Sequence, residues 1–459
     1  MSDLFSSLSL AVRSLLADQG AIEVTSNNVA NVNTPGYSRQ EAVFNETPPL
    51  QFGALQFGTG VELATISSDR DNILNIRLSQ ETQQQGKFDS LVNGLQQIQA
   101  LFNPVAGTGL GASINTFFDS FQQLSTNPTD PTLRQGVLIA AGNLASAFRL
   151  IASGLGTQQQ SLNESVVQQV GQVNDLTSQI AALNVQLAAA QVGTQSGNAL
   201  LDQRTQLIQQ LSQILDVQTI NAGNGNVTLT TSQGVALVVG AQSFNLQTQV
   251  NPATGFQDVY AQGSDVTTAI QAGSLGATIQ LRDQEIPALL TKLDTLASGI
   301  ASAVNTQNQA GFDLAGNAGG NIFVPPAAGP GAALNLAVAI TDPSQVAASS
   351  DGTIGSNGNA LALASLANQN IAGGLTPAQF NAGLVAQVGS DTAEAQSQQQ
   401  SAGLLVQQLQ DQQGAISGVS LDEEAANLVR YQTAFDASAH VVSVIDELTQ
   451  TVLNMAGAA

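Results

Sequence analysis

Residues Val24 to Gln40 read V-T-S-N-N-V-A-N-V-N-T-P-G-Y-S-R-Q, and the rest of the chain is organised around them. The stretch closes a helical pattern with asparagines at Asn27, Asn28, Asn31 and Asn33, then turns the chain at Thr34-Pro35-Gly36. Pro35 has no N–H and biases Thr34 away from the helical region, while Gly36 takes a positive φ without strain. Taken alone, N-x-T-P-G is an ordinary loop signal. It marks the end of one helix and a change of direction.

Upstream, residues 4 to 32 repeat every seven positions at Leu8, Leu15, Ile22 and Val29, with Leu4, Ala11 and Val12 beside them. That spacing predicts a coiled-coil-like helix. The stripe is narrow, and Asp18 and Gln19 weaken it, so the helix needs a partner. Downstream, Gln40 to Ser67 holds Pro48-Pro49 and Gly53, Gly58 and Gly60, and reads as an irregular to extended connector. A helix follows from about Arg70 to Phe102, with Phe88, Leu91, Val92, Leu95, Ile98 and Phe102 on one face. Gly107-Thr-Gly109-Leu-Gly111 lacks the spacing of a phosphate loop and reads as a turn. A helix near 112–125 stops at Asn127-Pro128, and Asp130-Pro131 opens a helical region to about Gln191 that Gly154 and Gly156 interrupt in pattern.

Asn198 to Val217 is again amphipathic, after which the period becomes two. Val227-Leu229-Thr231, Val235-Leu237-Val239, Phe244-Leu246 and Val259-Ala261 predict short antiparallel strands. Helix returns from Ile286 to Asn305, near 359–370, after Thr376-Pro377, and from Ser390 to about Ile416. The last helix opens on Ser420-Leu421-Asp422-Glu423, a capping-box pattern, with Asp422, Glu423 and Glu424 at the positive end of the dipole. Its stripe runs through Leu421, Leu428, Phe435, Val442, Ile445, Leu448 and Val452. The fold class is therefore mainly α with a small inserted antiparallel β domain, elongated and multi-domain, its N- and C-terminal helices paired as a coiled-coil-like terminal domain. The divisions are 1–60; 61–216 with 283–311 and 342–402 as a helical rod; 217–282 with 312–341 as the β domain; and 403–459. In an isolated subunit the two ends are expected to be mobile, because each stripe lacks local cover.

Composition narrows function. The 459 residues carry 33 acidic against 11 basic groups, a net charge of −22. Nothing here neutralises a run of phosphates or an anionic membrane surface, so nucleic acid is not expected as a partner. No signal peptide or membrane-spanning segment is read, because Asp3 sits where a basic n-region belongs and no long apolar run is evident. There is no cysteine, and His440, the one histidine, has no companion ligand. Lys87 and Lys292 are the only lysines, neither in a Walker loop. No catalytic, cofactor or metal site is read, and no enzyme is expected.

The opening stretch resembles the N-terminal signature of bacterial flagellar axial proteins, the rod, hook and hook-associated proteins. The C-terminal string from Ser417 to Val442, with S-G-V-S-L-D-E-E and then N-L-V-R-Y-Q-T-A-F, is similar to the first hook-associated family, as is Gly36-Tyr37-Ser38-Arg39. Asn198-Ala-Leu-Leu-Asp-Gln-Arg204 and Asn305-Thr-Gln…Gly311-Phe-Asp313 resemble two internal stretches of that family. The signature residues are Asn27, Asn28, Asn31, Asn33, Gly36, Tyr37, Arg39, Leu421, Asp422, Glu423 and Glu424. There is one departure: only about thirty residues separate Asp313 from Thr341, where many members carry an outer β domain.

The resemblance implies a structural protein of the hook–filament junction, exported uncleaved through the flagellar export apparatus to the outside of the cell. It implies self-assembly, contacts with the hook protein and the next hook-associated protein, and an export chaperone. Leu8, Leu15, Ile22, Val29, Leu428, Phe435, Val442 and Ile445 are the expected assembly interface. A hook- or rod-type axial protein is the alternative, and a secreted adhesin or enzyme working through the β domain a more distant one.

Overall fold

The structure is a computed structural model; it describes residues 2–52, 55–102, 109–190, 193–221, 225–327 and 329–457. Helix α1 (Ser2–Ala30) leads into strand β1 (Gln40–Glu46), the short pair β2 (Leu50–Phe52) and β3 (Leu55–Phe57), and β4 (Val61–Ser68). β1 and β4 pair antiparallel with Gln40 opposite Ser68. The expected irregular to extended connector is thus extended, and paired as an arm. Its inward positions are Gln40 and Ala42, a polar and a small residue, so the apolar alternation that marks a strand is missing from the sequence.

The middle is built on helices α2 (Asn72–Phe102), α3 (Leu110–Leu124), α4 (Pro131–Ala189) and α5 (Gln195–Ile214). Gly107 and Thr108 lie outside the described residues, while Gly109 caps α3 and Leu110 and Gly111 open it. Asp130 caps α4 by accepting from the Thr132 and Leu133 amides at 2.7 and 3.4 Å, with Pro131 in the first turn. Neither Gly154 nor Gly156 breaks it. Its 59 residues span about 88 Å. An 18-residue window of α4 has mean hydropathy 1.4, so among the described residues one helix is long and apolar enough to cross a membrane, contrary to expectation. Half of that window is buried in the protein, which is what a core helix requires.

Strands β5 (Gln218–Asn221), β6 (Val227–Thr230), β7 (Ala236–Val239) and β8 (Gln242–Ser243) form one antiparallel sheet in sequence order. A second holds β9 (Leu246–Val250), β10 (Gln257–Ala261) and β11 (Ser264–Asp265). Helix α6 (Gly273–Gln280) then continues through a π turn (Leu281–Glu285) into α7 (Ile286–Gln309), so the expected boundary at 282 falls inside helix. After α8 (Gly358–Ser365), α9 (Pro377–Ser417) is one 41-residue helix with a complete Thr376–Gln379 capping box, and α10 (Leu421–Gly457) ends the chain. α9 runs antiparallel to α2, with Gln413 bonded to Asn75 and Gln399 to Asp89, both at 2.7 Å. The expected division at 403 therefore cuts a continuous helix.

Two cores share α4. The first gathers the late part of α2, α3, early α4, α7 and α8 around Phe117, whose ring meets those of Phe118, Phe121 and Phe323 at 5.2–5.4 Å. The second packs late α4 and α5 against both sheets. Residues 312–341 were expected to return to the β domain, but Ile322, Phe323, Ala333 and Leu336 lie in the first core. Buried Asn305 explains this: its amide bonds both the N–H and the C=O of Phe323 at 2.9 Å, standing in for a strand edge. Asp294 likewise accepts the Gly331 and Ala333 amides at 2.7 and 2.8 Å.

Close helix crossings depend on single glycines. A Cβ on Gly86 of α2 would collide with the Gln213 carbonyl of α5, whereas one on Gly142 or Gly171 of α4 meets nothing within 4 Å. Gly86→Ala should cost about 1–3 kcal/mol, since overpacking outweighs a propensity gain of about 1 kcal/mol. Gly142→Ala and Gly171→Ala should instead stabilise by about 0.5–1 kcal/mol. Thermal denaturation of the three variants checks the opposite signs, and a stabilised Gly86→Ala would contradict the close crossing.

Candidate assembly site

α1 and α10 lie side by side, antiparallel. Asn28 meets Glu424 at 3.1 Å at one end, and Ser438 meets Ser14 and Asp18 at 3.2 and 3.4 Å farther along. Leu8, Leu15, Ile22, Leu428, Phe435 and Val442 are half-buried and Ile445 is buried, while Val29 is exposed. The stripes thus face each other within one chain. Near the base Ala21, Val24, Ala42 and the partly buried Phe44, Leu63, Ile66 and Tyr431 form a small third core under the β1–β4 arm.

The signature supplies a buried polar cluster at that base. Asn28 is 1% exposed and uses its whole hydrogen-bonding capacity. Its Nδ2 donates to the Gln40 carbonyl at 2.8 Å and to Glu424 Oε2 at 3.1 Å. Its Oδ1 accepts from the Gln40 amide at 3.0 Å and from the Tyr37 hydroxyl at 2.8 Å. Tyr37 also reaches Asn27 Oδ1 at 3.0 Å, and Asn31 bonds back to the Asn27 carbonyl at 3.0 Å. Gly36 has φ +75°, and Gln206 of α5 donates to the Pro35 carbonyl beside it. Asn33 is exposed.

Arg39 joins three segments. Its Nε donates to Glu424 Oε1 at 2.8 Å, its other nitrogens stand 3.6 Å from Asp69 and Glu423, and its amide bonds the Ser417 carbonyl at 2.8 Å. The expected capping box at the start of α10 is therefore only half made. The Glu423 amide reaches Ser420 Oγ at a long 3.5 Å, and the Glu423 side chain turns to Arg39. Leu421 and Asp422 are exposed. The bond to Glu424 is the main reason the Arg39 pKa is raised. Burial, then the Asp202 and Glu424 charges, push the Tyr37 hydroxyl up to about 12, so it stays a donor.

The cluster is continued by residues that sequence reading did not single out as sites. Asp202 of α5 accepts from the Ser38 amide and hydroxyl at 3.1 and 2.7 Å and from Arg70 at 2.9 Å. Arg70 also holds the Asn198 carbonyl at 2.6 Å, and Asn198 bonds the Ile66 carbonyl at 2.8 Å. Asn198 and Asp202 were visible as polar positions of the N-x-L-L-D-Q-R stretch. Their partners, 132 and 164 residues away in sequence, were not.

Asp18 sits on the seam itself. Burial raises its pKa, partly offset by the Ser438 hydroxyl. A raised acid favours its neutral form in the paired state, so pairing strengthens as pH falls through the folded pKa and weakens above it. Asp18→Asn should stabilise the pair at neutral pH by under about 1 kcal/mol, since the carboxylate keeps water contact. The difference from wild type should vanish in acid. An advantage that persisted unchanged at pH 3 would contradict this placement.

Among the described residues no group of three or more His, Asp or Glu could hold a metal, and His440 is exposed.

Comparison with known sequences matches residues 95–323 to the family described as flagellar hook-associated protein FlgK helical domain. Residues 8–37 match the flagella basal body rod protein family, and 412–455 the C-terminal part of the basal body rod FlgEFG proteins. Flagellar hook-associated protein 1 of Bacillus subtilis strain 168 is 29% identical over 506 aligned positions, covering 100% of this chain and 99% of that protein. This chain is thus similar along its whole length to flagellar hook-associated protein 1. The Escherichia coli K12 protein of that name is 26% identical over 543 positions, covering 97% of this chain and 98% of its own. A chain of 459 residues cannot fill 543 positions, so that relative carries residues with no counterpart here. The solved hook junction protein FlgK of Burkholderia pseudomallei shares the fold, with TM-score 0.67 and 19% identity over 74% of this chain and 100% of that one. The relatives it matches are flagellar hook-associated proteins, structural parts of the flagellum rather than enzymes.

Proposed function

We propose that the chain builds the hook–filament junction outside the cell, assembling through its α1–α10 pair. One observation carries the reading: the two segments similar to rod proteins, 8–37 and 412–455, fold together as this pair and its base, while the middle is similar to the helical domain of the hook-associated protein FlgK. Ends compatible with an axial lattice and a distinct body suit a part that joins the hook protein on one side to the next hook-associated protein on the other. The Burkholderia protein, a flagellar hook junction protein, supports the same placement. Residues 1–60 with the end of the chain form the terminal unit; the helices and the 312–341 segment form the rod, and 217–272 the β knob. Gold-labelled antibody on isolated flagella should give one narrow band between hook and filament. Label along the filament, or only inside cells, would sink the proposal.

Delivery through the export apparatus requires α10 before α1 has covered it. Leu428, Phe435, Val442 and Ile445 would then face a chaperone first and α1 afterwards. Phe435→Ala should weaken chaperone binding and hairpin stability together, each by about 1–3 kcal/mol. Titration against this variant and a chain ending at Gly418 measures it; unchanged affinity for the shortened chain places the chaperone elsewhere.

A further inference from the structure

Two buried arginines are held alike and differ on one edge. Arg282 gives its Nη1 to Asn163 Oδ1 at 3.0 Å and to the Gln257 carbonyl at 2.7 Å. Its other edge, Nε and Nη2, donates to the two carboxylate oxygens of Asp283 at 2.7 and 2.8 Å. Arg204 of α5 repeats the first half of that arrangement. Its Nη1 donates to Asn184 Oδ1 of α4 at 2.9 Å and to the Gly225 carbonyl at 2.5 Å. The second half is missing. Arg204 is only 7% exposed, yet its Nε and Nη2 have no acceptor among the described residues. Arg134, the third buried arginine, is held by four backbone carbonyls and lines no comparable space.

The open edge of Arg204 is charged and unneutralised. Burial, then the Arg70 charge, bring its pKa down to about 10, so it keeps its proton at neutral pH. Among the described residues no carboxylate pairs with it, and the nearby Asp202 is committed to Arg70 at 2.9 Å. A planar guanidinium edge of this kind matches a two-oxygen anion better than it matches water.

Arg204 lines a cavity of about 70 Å³ where α2, α5 and β5 meet. Asn72, Asn75, Ser79, Thr219 and Asn221 give its walls amides and hydroxyls, and none of the described lining residues is acidic. In a chain with 33 acidic and 11 basic groups, that is a place where an anion meets a cation and no competing carboxylate. The volume suits one small ion or a few waters, and falls far below the roughly 300 Å³ of a site for a larger organic ligand.

We infer that this cavity binds a small free oxyanion, of phosphate or sulfate size, on the open edge of Arg204. The ion stands where the Asp283 carboxylate stands against Arg282, and the surrounding amides and hydroxyls supply further donors. Bound there, it ties the start of α2 and strand β5 to α5, fastening the β knob to the base of the rod. The inference is independent of the junction reading.

The test is calorimetric titration of the full-length protein with sodium phosphate, with sulfate, acetate and chloride as parallel arms at one ionic strength. Phosphate or sulfate should bind saturably, one ion per chain, and the tighter of the two names the ion. Chloride or acetate binding as tightly as both overturns the inference, as does the lack of any saturable oxyanion binding. Phosphate and sulfate also stabilise proteins by exclusion from the surface, so variants separate binding from that general effect. Asn221→Asp is isosteric and exposed, and places a carboxylate in the cavity to serve as the missing partner. It should weaken oxyanion binding at least about tenfold and raise the melting temperature in anion-free buffer. Arg204→Lys, which keeps the charge but loses the planar edge, should also bind more weakly than wild type. Wild-type affinity in Asn221→Asp would overturn the inference whatever Arg204→Lys does.

Discussion

Asn28→Ala is expected to release the α1–α10 pair from the rod while leaving the rod folded. Tyr37 keeps Asn27 and Glu424 keeps Arg39, so the groups left without a partner are the buried N–H and C=O of Gln40. Each costs about 1–3 kcal/mol unpaired, for a total of about 2–5 kcal/mol. Undocking the pair gives both groups to water, and that local opening caps the loss. A protease should then cut near residues 31–40 and 418–420, and the main melting transition should not move. Asn28→Asp should be at least as damaging, because it removes both donors and sets a second carboxylate beside Glu424. Tyr37→Phe, which loses one donated bond, should cost only about 1 kcal/mol. Resistance of Asn28→Ala to cleavage at both sites would mean the cluster does not hold the pair down.

Ile445→Asp is the second large effect, and it acts at the other end. Ile445 is buried on the seam, so a carboxylate there is an unpaired charge facing α1, costing several kcal/mol. Two helices joined by a narrow stripe have little stability to spare. The distal half of the pair should separate and lose helix by circular dichroism, while the Asn28–Glu424 end stays closed. Half-buried Leu15 and Val442 should respond the same way to Asp, less strongly. Leu448→Asp, one turn on but exposed, should leave the helix content intact. Equal helix content in Ile445→Asp and Leu448→Asp would show that the seam has been placed on the wrong face.

Much of this was legible because helices announce themselves. Seven-residue repeats gave both terminal helices, and the Asp130-Pro131 and Thr376-Pro377 starts are where α4 and α9 begin. What was hidden depends on contacts distant in sequence. The β1–β4 arm could not be read because it turns Gln40 and Ala42 inward, and Gln40 is tolerable there only because Asn28 bonds its backbone. Residues 312–341 look like turns wherever they pack; Asn305 and Asp294, fixed on α7, draw them into the first core. The cluster itself was half visible. Its asparagines and glutamates stood out as a signature, but their roles did not, since no local pattern links Asn28 to a carboxylate 396 residues away. The seam leucines were found; Leu448, read as part of the α10 stripe, is exposed outside the seam, and Phe5 and Leu16 were not singled out.

The same geometry revises what the lone subunit should do. Two stripes without cover suggest mobile ends; two stripes facing each other above a fully bonded Asn28 do not. Amide hydrogen exchange on the full-length monomer decides between them. If the polar cluster locks the terminal pair, peptides covering residues 17–40 and 421–438 should exchange slowly and together, with protection fading toward residues 2–10 and 446–457. If both terminal helices instead exchange at the rate of unstructured chain while α4 and α7 remain protected, the lock does not exist in the single molecule.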